Sequence, residues 1–137
     1  VDIFLLNDEE ALQLTNQTDL QSAADSLRKI GPQIIVIKMG VKGALLVDAT
    51  GSATIPVYPH VTVLDPTGAG DTFAGGFIGH ICRNGSDSLV DAVISGAAIA
   101  SFTVSGFGLE GLLEATQETL NERIKFIKQS MDTGIPV

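Results

Sequence analysis

The chain has 137 residues, 45% hydrophobic and 18% charged, with 15 Gly and 5 Pro, enough for one domain that buries roughly two thirds of its unfolded surface. So apolar a chain with dispersed charges is not disordered. Its net charge of −8 and pI near 4.4 argue against nucleic acid or an anionic membrane as main partner, and its single cysteine, Cys82, rules out an intrachain disulfide framework or a multi-Cys metal site.

Val1 to Leu6 is an apolar run without helical period and predicts a buried strand. Asn7 is placed to cap a helix from Asp8 to about Leu14. A second helix is expected from about Asp19 to Ile30, opened by Thr18 and Gln21 in capping-box spacing and ended by Gly31-Pro32. Its apolar face is Leu20, Ala23, Ala24, Leu27 and Ile30. The β-branched run Ile34 to Lys38 predicts a central strand, and Gly40 and Gly43 allow a tight turn into Ala44 to Asp48. After a turn at Gly51, Thr54 to Leu64 is extended, and Pro56 and Pro59 suit an edge strand or loop.

The second half is mostly helical. Phe73, Phe77 and Ile81 set the period of a helix from Asp71 to about Arg83, stopped by Gly85. A further helix runs from about Ser88 to Phe102, burying Leu89, Val90, Val93, Ile94, Ala97 and Ala98. Ala92 to Leu109 is uncharged, but its three Ser and three Gly read as a buried helix entering a loop rather than a membrane span. The glycine-rich loop Ser105 to Gly111 precedes a last amphipathic helix with Leu120, Ile124 and Ile127 inward. No stretch reads as a signal peptide, and the expectation is a soluble cytoplasmic α/β protein.

The chemistry concentrates in Asp65-Pro66-Thr67-Gly68-Ala69-Gly70-Asp71-Thr72-Phe73. An extended chain reaches Gly68-Ala69-Gly70 and turns into a helix, so backbone N–H groups and the helix dipole can face an anion. Asp71, at the mouth of this nest, has the wrong sign for binding phosphate and the right one for taking a proton from an attacking hydroxyl. Anion hole and base together imply phosphoryl transfer to an alcohol. The plain structural reading is that Gly68 and Gly70 serve a tight turn and Asp71 merely caps the helix.

This stretch resembles the second signature of the ribokinase, or phosphofructokinase-B-like, carbohydrate kinases: Asp, a variable pair, Gly-Ala-Gly-Asp, then usually Thr-Phe. The resemblance implies a three-layer α/β/α fold of which this chain is the carboxy-terminal, nucleotide-binding half. It implies Asp71 as catalytic base and Gly68, Ala69 and Gly70 as the anion hole, with ATP as phosphoryl donor and a sugar or nucleoside as acceptor. Asn7-Asp8-Glu9-Glu10 is similar to the family's Asn-x-x-Glu element, which implies that Asn7 and Glu10 position magnesium and the nucleotide phosphates, often through water. The same four residues also read as a capping box. Lys38 to Gly43 is similar to the segment beside the phosphates, with Gly40 and Gly43 allowing close approach and Lys38 offsetting charge. The family often holds potassium beside the anion hole. Its ligands would fall here on Asp65, Thr67, Ala100, Val104 and Gly106. The family's adenine-contacting position falls on Ile94 or Ser95, implying mainly apolar sandwiching of the base.

Other signals carry less. Gly106-Phe107-Gly108-Leu109-Glu110-Gly111 spells a dinucleotide fingerprint, but a helix precedes it and no strand can follow. His60 and His80 lack ligand spacing, and Cys82 reads as helix packing. The family's acceptor pocket and lid lie outside this chain, which makes it an expected fragment, with an open strand edge suited to dimerisation. A non-catalytic nucleotide-binding regulatory module on the same scaffold is the competing reading.

Overall fold

The computed structural model describes residues 2–133. They divide into two compact units, meeting in sequence between Thr54 and Ile55. Val1, expected in the first strand, lies outside the described residues.

The first unit is built on a mixed sheet of β1 (Ile3–Asn7), β2 (Ile34–Lys38), β3 (Ala44–Asp48) and β4 (Gly51–Ile55), in that spatial order. β1 and β2 run parallel and β2 and β3 antiparallel. A parallel pair needs a long return connection, supplied by α1 (Asp8–Thr15) and α2 (Leu20–Ile30). Alternate strand residues share a face. Leu6, Ile35, Ile37, Leu45 and Val47 therefore meet Ala11, Ala23, Ala24 and Leu27 of the two helices in one core. Full burial of each large member contributes about 1.5–3 kcal/mol.

Several expectations shift. The box of Thr18 with Gln21 does not form; Asp19 caps α2, accepting from the Ser22 amide at 2.9 Å, and Gln21 reaches Asp25. An ionised carboxylate suits the positive end of a helix better than a hydroxyl. Ile30, the last residue of α2, is exposed rather than buried. The final strand begins at Gly51 and ends at Ile55, leaving Pro56 and Pro59 outside it, since neither has an N–H to give a ladder. Asp48 closes the turn before it, accepting from the Thr50 amide and hydroxyl.

The second unit comprises α3 (Ala69–Asn84), α4 (Leu89–Thr103), α5 (Glu110–Leu113) and α6 (Gln117–Thr133). α3 starts two residues before the expected Asp71 and stops at Gly85, whose φ of +79° and N–H to the Ile81 carbonyl make the anticipated C-cap. α3 and α4 meet backbone to backbone. A Cβ on Gly96 would stand 2.7 Å from the Phe73 carbonyl oxygen, and one on Gly76 3.0 Å from the Gly96 Cα. Around this crossing Phe73, Phe77, Ala92, Val93, Ile94 and Ala98 are buried, whereas Leu89, Val90 and Ala97 are half-buried.

On α6 only Ile127 of the expected inward trio is fully buried; Leu120 and Ile124 are half-buried. The helix is instead tied to α4 by polar contacts: Lys128 to Asp91 at 3.1 Å, and Arg123 donating to the Ser101 hydroxyl while stacking 3.6 Å over the Phe102 ring. Cys82 is exposed, not packed. Among the described residues no helix is long and apolar enough to cross a membrane.

Candidate active site

In the first unit the expected nucleotide-side residues gather at one edge of the sheet. Asn7 ends β1, Lys38 ends β2, and the two are register partners. The carboxyl ends of adjacent parallel strands are where open α/β sheets bind ligands. Asn7 also caps α1: its Oδ1 accepts from the Glu10 amide at 2.8 Å, while its Nδ2 donates to the Glu10 carboxylate at 2.5 Å. Only half of the expected capping box forms, because the Glu10 carboxylate accepts from the Asn7 side chain rather than from its backbone N–H; the result is a clasp that fixes an exposed carboxylate at the strand end. Among the described residues Lys38 has neither an ion pair nor a side-chain hydrogen bond. Gly40 and Gly43, both at positive φ, bracket a single 3₁₀ turn in which the Met39 amide donates to the Gly43 carbonyl. Lys42 is exposed.

The second unit carries the candidate anion hole. Gly68, at φ +83°, precedes α3 in a left-handed conformation that disfavours any side chain. The Ala69 amide donates to the Pro66 carbonyl and the Thr72 amide to the Gly68 carbonyl. The amides between them, on Gly70 and Asp71, have no acceptor among the described residues. Two orphan donors of a helix start therefore remain free beside the exposed carboxylate of Asp71, the chemical requirement for stabilising an anion next to a base.

Asp65 folds back onto its own loop, accepting from the Thr67 amide at 3.0 Å. The Thr67 hydroxyl, and then its amide, hold the Asp65 carboxyl below the usual carboxylate range. The Val104 carbonyl accepts from the amides of both Leu64 and Asp65, so the loop after α4 meets the start of the motif. The Ala100 carbonyl accepts the Val104 amide, and Gly106 packs against the Gly111 backbone. The structure thus places Asp65, Thr67, Ala100 and Val104 in one neighbourhood. Ile94 is buried, and the Ser95 hydroxyl lies 3.1 Å from His80 Nδ1. His60 lies edge-on to Tyr58 and Phe126. The residues spelling the dinucleotide fingerprint are followed by α5 and α6 rather than by a strand.

Sequence reasoning missed two residues. The Thr72 hydroxyl donates to the Gly68 carbonyl at 2.8 Å, and the buried Thr103 hydroxyl donates to Thr72 at 2.9 Å. Thr72 stood inside the motif without a role. Thr103, 31 residues away, gave no local signal.

Among the described residues no group of three or more His, Cys, Asp or Glu could hold a metal by itself. The Asn7–Glu10 clasp fits magnesium nonetheless, because that ion keeps several waters and takes one or two carboxylates plus substrate phosphates.

Residues 1–116 match the family described as pfkB family carbohydrate kinase. The chain is 29% identical over 123 residues to the ribokinase of Staphylococcus aureus, covering 86% of this chain and 40% of that protein. It is 39% identical over 85 residues to the cytidine kinase of Thermococcus kodakarensis, covering 61% of this chain and 30% of that one. Among solved structures, aminoimidazole riboside kinase from Salmonella enterica, complexed with aminoimidazole riboside and an ATP analogue, matches with a TM-score of 0.78 at 31% identity, over 90% of this chain and 42% of that one. Arabidopsis thaliana ribokinase complexed with ribose and ATP matches with a TM-score of 0.81 at 26% identity, over 92% and 41%. The chain therefore spans well under half the length of these relatives. Its fold is ribokinase-like, and it belongs to the pfkB family of carbohydrate kinases.

Proposed function

We propose that this chain is the carboxy-terminal part of an ATP-dependent kinase that moves the γ-phosphoryl group to a hydroxyl of a sugar or nucleoside. The observation that carries this reading is the pair of unpartnered amides, Gly70 and Asp71, beside the exposed Asp71 carboxylate. Donors already aimed at the transferring group stabilise its charge without reorganising. Asp71 takes the proton of the acceptor hydroxyl as that oxygen attacks, and the free amides of the glycine turn, on Gly70 and Asp71, receive the charge on the phosphoryl oxygens, the Ala69 amide being held by Pro66. Lys38, without a side-chain partner among the described residues, attracts the nucleotide phosphates.

Magnesium, when bound, would neutralise charge on the nucleotide phosphates. Asn7 and Glu10 would hold it through water, the amide of Asn7 keeping the Glu10 carboxylate in place. Potassium fits beside Asp65, whose carboxylate is kept ionised, with the carbonyls of Thr67 and Gly106 as further oxygen donors. The Ala100 and Val104 carbonyls, which already accept amides, each keep a second lone pair and complete the proposed ligand set.

In this reading the acceptor pocket lies in a part of the protein beyond this chain, which spans under half of its relatives' length. Holding donor and acceptor in line is worth about 7–11 kcal/mol of barrier in reactions of this kind. The chain alone is therefore expected to bind ATP weakly and to turn over no sugar. Calorimetric titration with ATP and magnesium, beside a coupled kinase assay on a panel of sugars and nucleosides, tests both halves of the reading. Phosphorylation of a panel member by the full-length protein supports the kinase. Nucleotide binding without turnover across the panel supports a regulatory module instead, and turnover by the 137-residue chain alone contradicts the location of the acceptor site.

A further inference from the structure

The motif loop is held by two consecutive residues at the end of α4. Val104, through its carbonyl, takes the amides of Leu64 and Asp65 where the loop begins. Thr103, through its hydroxyl, reaches Thr72 at the other end, and Thr72 passes the bond on to the Gly68 carbonyl. That carbonyl accepts twice, from the Thr72 amide at 3.0 Å and the Thr72 hydroxyl at 2.8 Å. Gly68 is also the left-handed residue that turns the chain into α3, and the Thr103 methyl lies 3.8 Å from where its Cβ would be.

We infer that Thr103 is a positioning residue for the anion hole, acting through Thr72 to fix the Gly68 peptide and so the direction of the Gly70 and Asp71 amides. This rests on the phosphoryl-transfer reading of the nest. The direction of the bonds supports it. The Thr72 hydroxyl can donate only once, and a hydroxyl without Thr103 is free to rotate toward water. With the buried Thr103 hydroxyl donating to its oxygen, its one proton is committed to the Gly68 carbonyl. The nest is then prearranged before any phosphate arrives, which is what electrostatic stabilisation requires.

The test titrates inorganic phosphate into the ¹⁵N-labelled chain and follows the amide signals of Gly70 and Asp71. In the wild type both should shift saturably. Thr103→Val, which keeps the shape and removes the hydroxyl, should raise the apparent Kd about fivefold, the worth of one hydrogen bond. Thr103→Ser should restore it. A merely structural role would lower the melting temperature of Thr103→Val without moving the phosphate response of these two amides. Should Thr103→Val fail to fold, Thr72→Val and Thr72→Ser carry the same expectation. Wild-type shifts that persist unchanged in folded Thr103→Val or Thr72→Val overturn the relay and leave the nest standing. Wild-type amides that ignore phosphate overturn the nest itself, and the relay with it.

Discussion

Asn7 and Lys38 face each other on the last rung of the parallel ladder between β1 and β2. One is fully engaged in capping α1 and clasping Glu10, and the other has no partner among the described residues. A half-buried lysine at a strand end, with no partner among the described residues, is poised for an anionic ligand. Replacing Lys38 with Met in the full-length protein should therefore weaken ATP binding about tenfold or more, the usual worth of a hydrogen bond to a charged group. Thermal stability should hold, since no internal ion pair is lost. Calorimetry of the two proteins decides it; equal affinities would reduce Lys38 to a solvated side chain.

The crossing of α3 and α4 depends on the absence of a side chain at Gly96, where a Cβ would meet the Phe73 carbonyl at 2.7 Å. Neither partner is a flexible tip, so the helices must separate. Gly96→Ala should cost about 1–3 kcal/mol, the usual penalty of overpacking, despite the better helix propensity of Ala. At Gly79, where an added Cβ meets nothing within 4 Å, the same change should be neutral or stabilising by up to about 1 kcal/mol. Chemical denaturation of the two variants compares them directly, and equal midpoints would contradict the close crossing.

Asp19 caps α2 through the Ser22 amide, which lowers its carboxyl pKa below the ordinary value of 3.8. A depressed folded-state pKa means that the cap contributes above the unfolded value and is lost as pH falls through the folded one. The difference in melting temperature between wild type and Asp19→Ala should therefore be largest near neutrality and shrink below pH 3.8. Asp19→Asn, which can cap without ionising, should lose this dependence. A wild-type advantage that grows toward acid would reverse the sign and refute the cap.

Local signals reached most of this architecture. Asn7, Gly85 and the Gly68 to Asp71 run are short-range devices, in which a cap, a left-handed stop and a nest are each written within a few residues. The helix periods of Phe73 and Phe77 on α3 and of Val93 and Ile94 on α4 likewise report buried faces directly. What sequence reasoning missed depends on partners far along the chain. Thr103 becomes informative only when α4 returns to the motif, and Arg123 only when α6 lays it over Phe102 and Ser101. The strand Gly51–Ile55 starts before the expected extended stretch because its exposed Gly, Ser and Thr residues give little apolar signal. The exposure of Cys82 is likewise illegible in the periodicity, which does not show which face this helix leaves to solvent.

The central claim is that Asp71 removes the acceptor proton while the amides beside it hold the phosphoryl charge. Asp71→Asn keeps the size of the side chain and the helix start but abolishes the base. Steady-state kinetics of the full-length protein and this variant on the acceptor that the substrate panel identifies, with ATP affinity measured alongside, test it most directly. The account predicts turnover reduced about 10²-fold or more, the range for a general base, with nucleotide affinity nearly unchanged. Near-normal turnover in Asp71→Asn would contradict it.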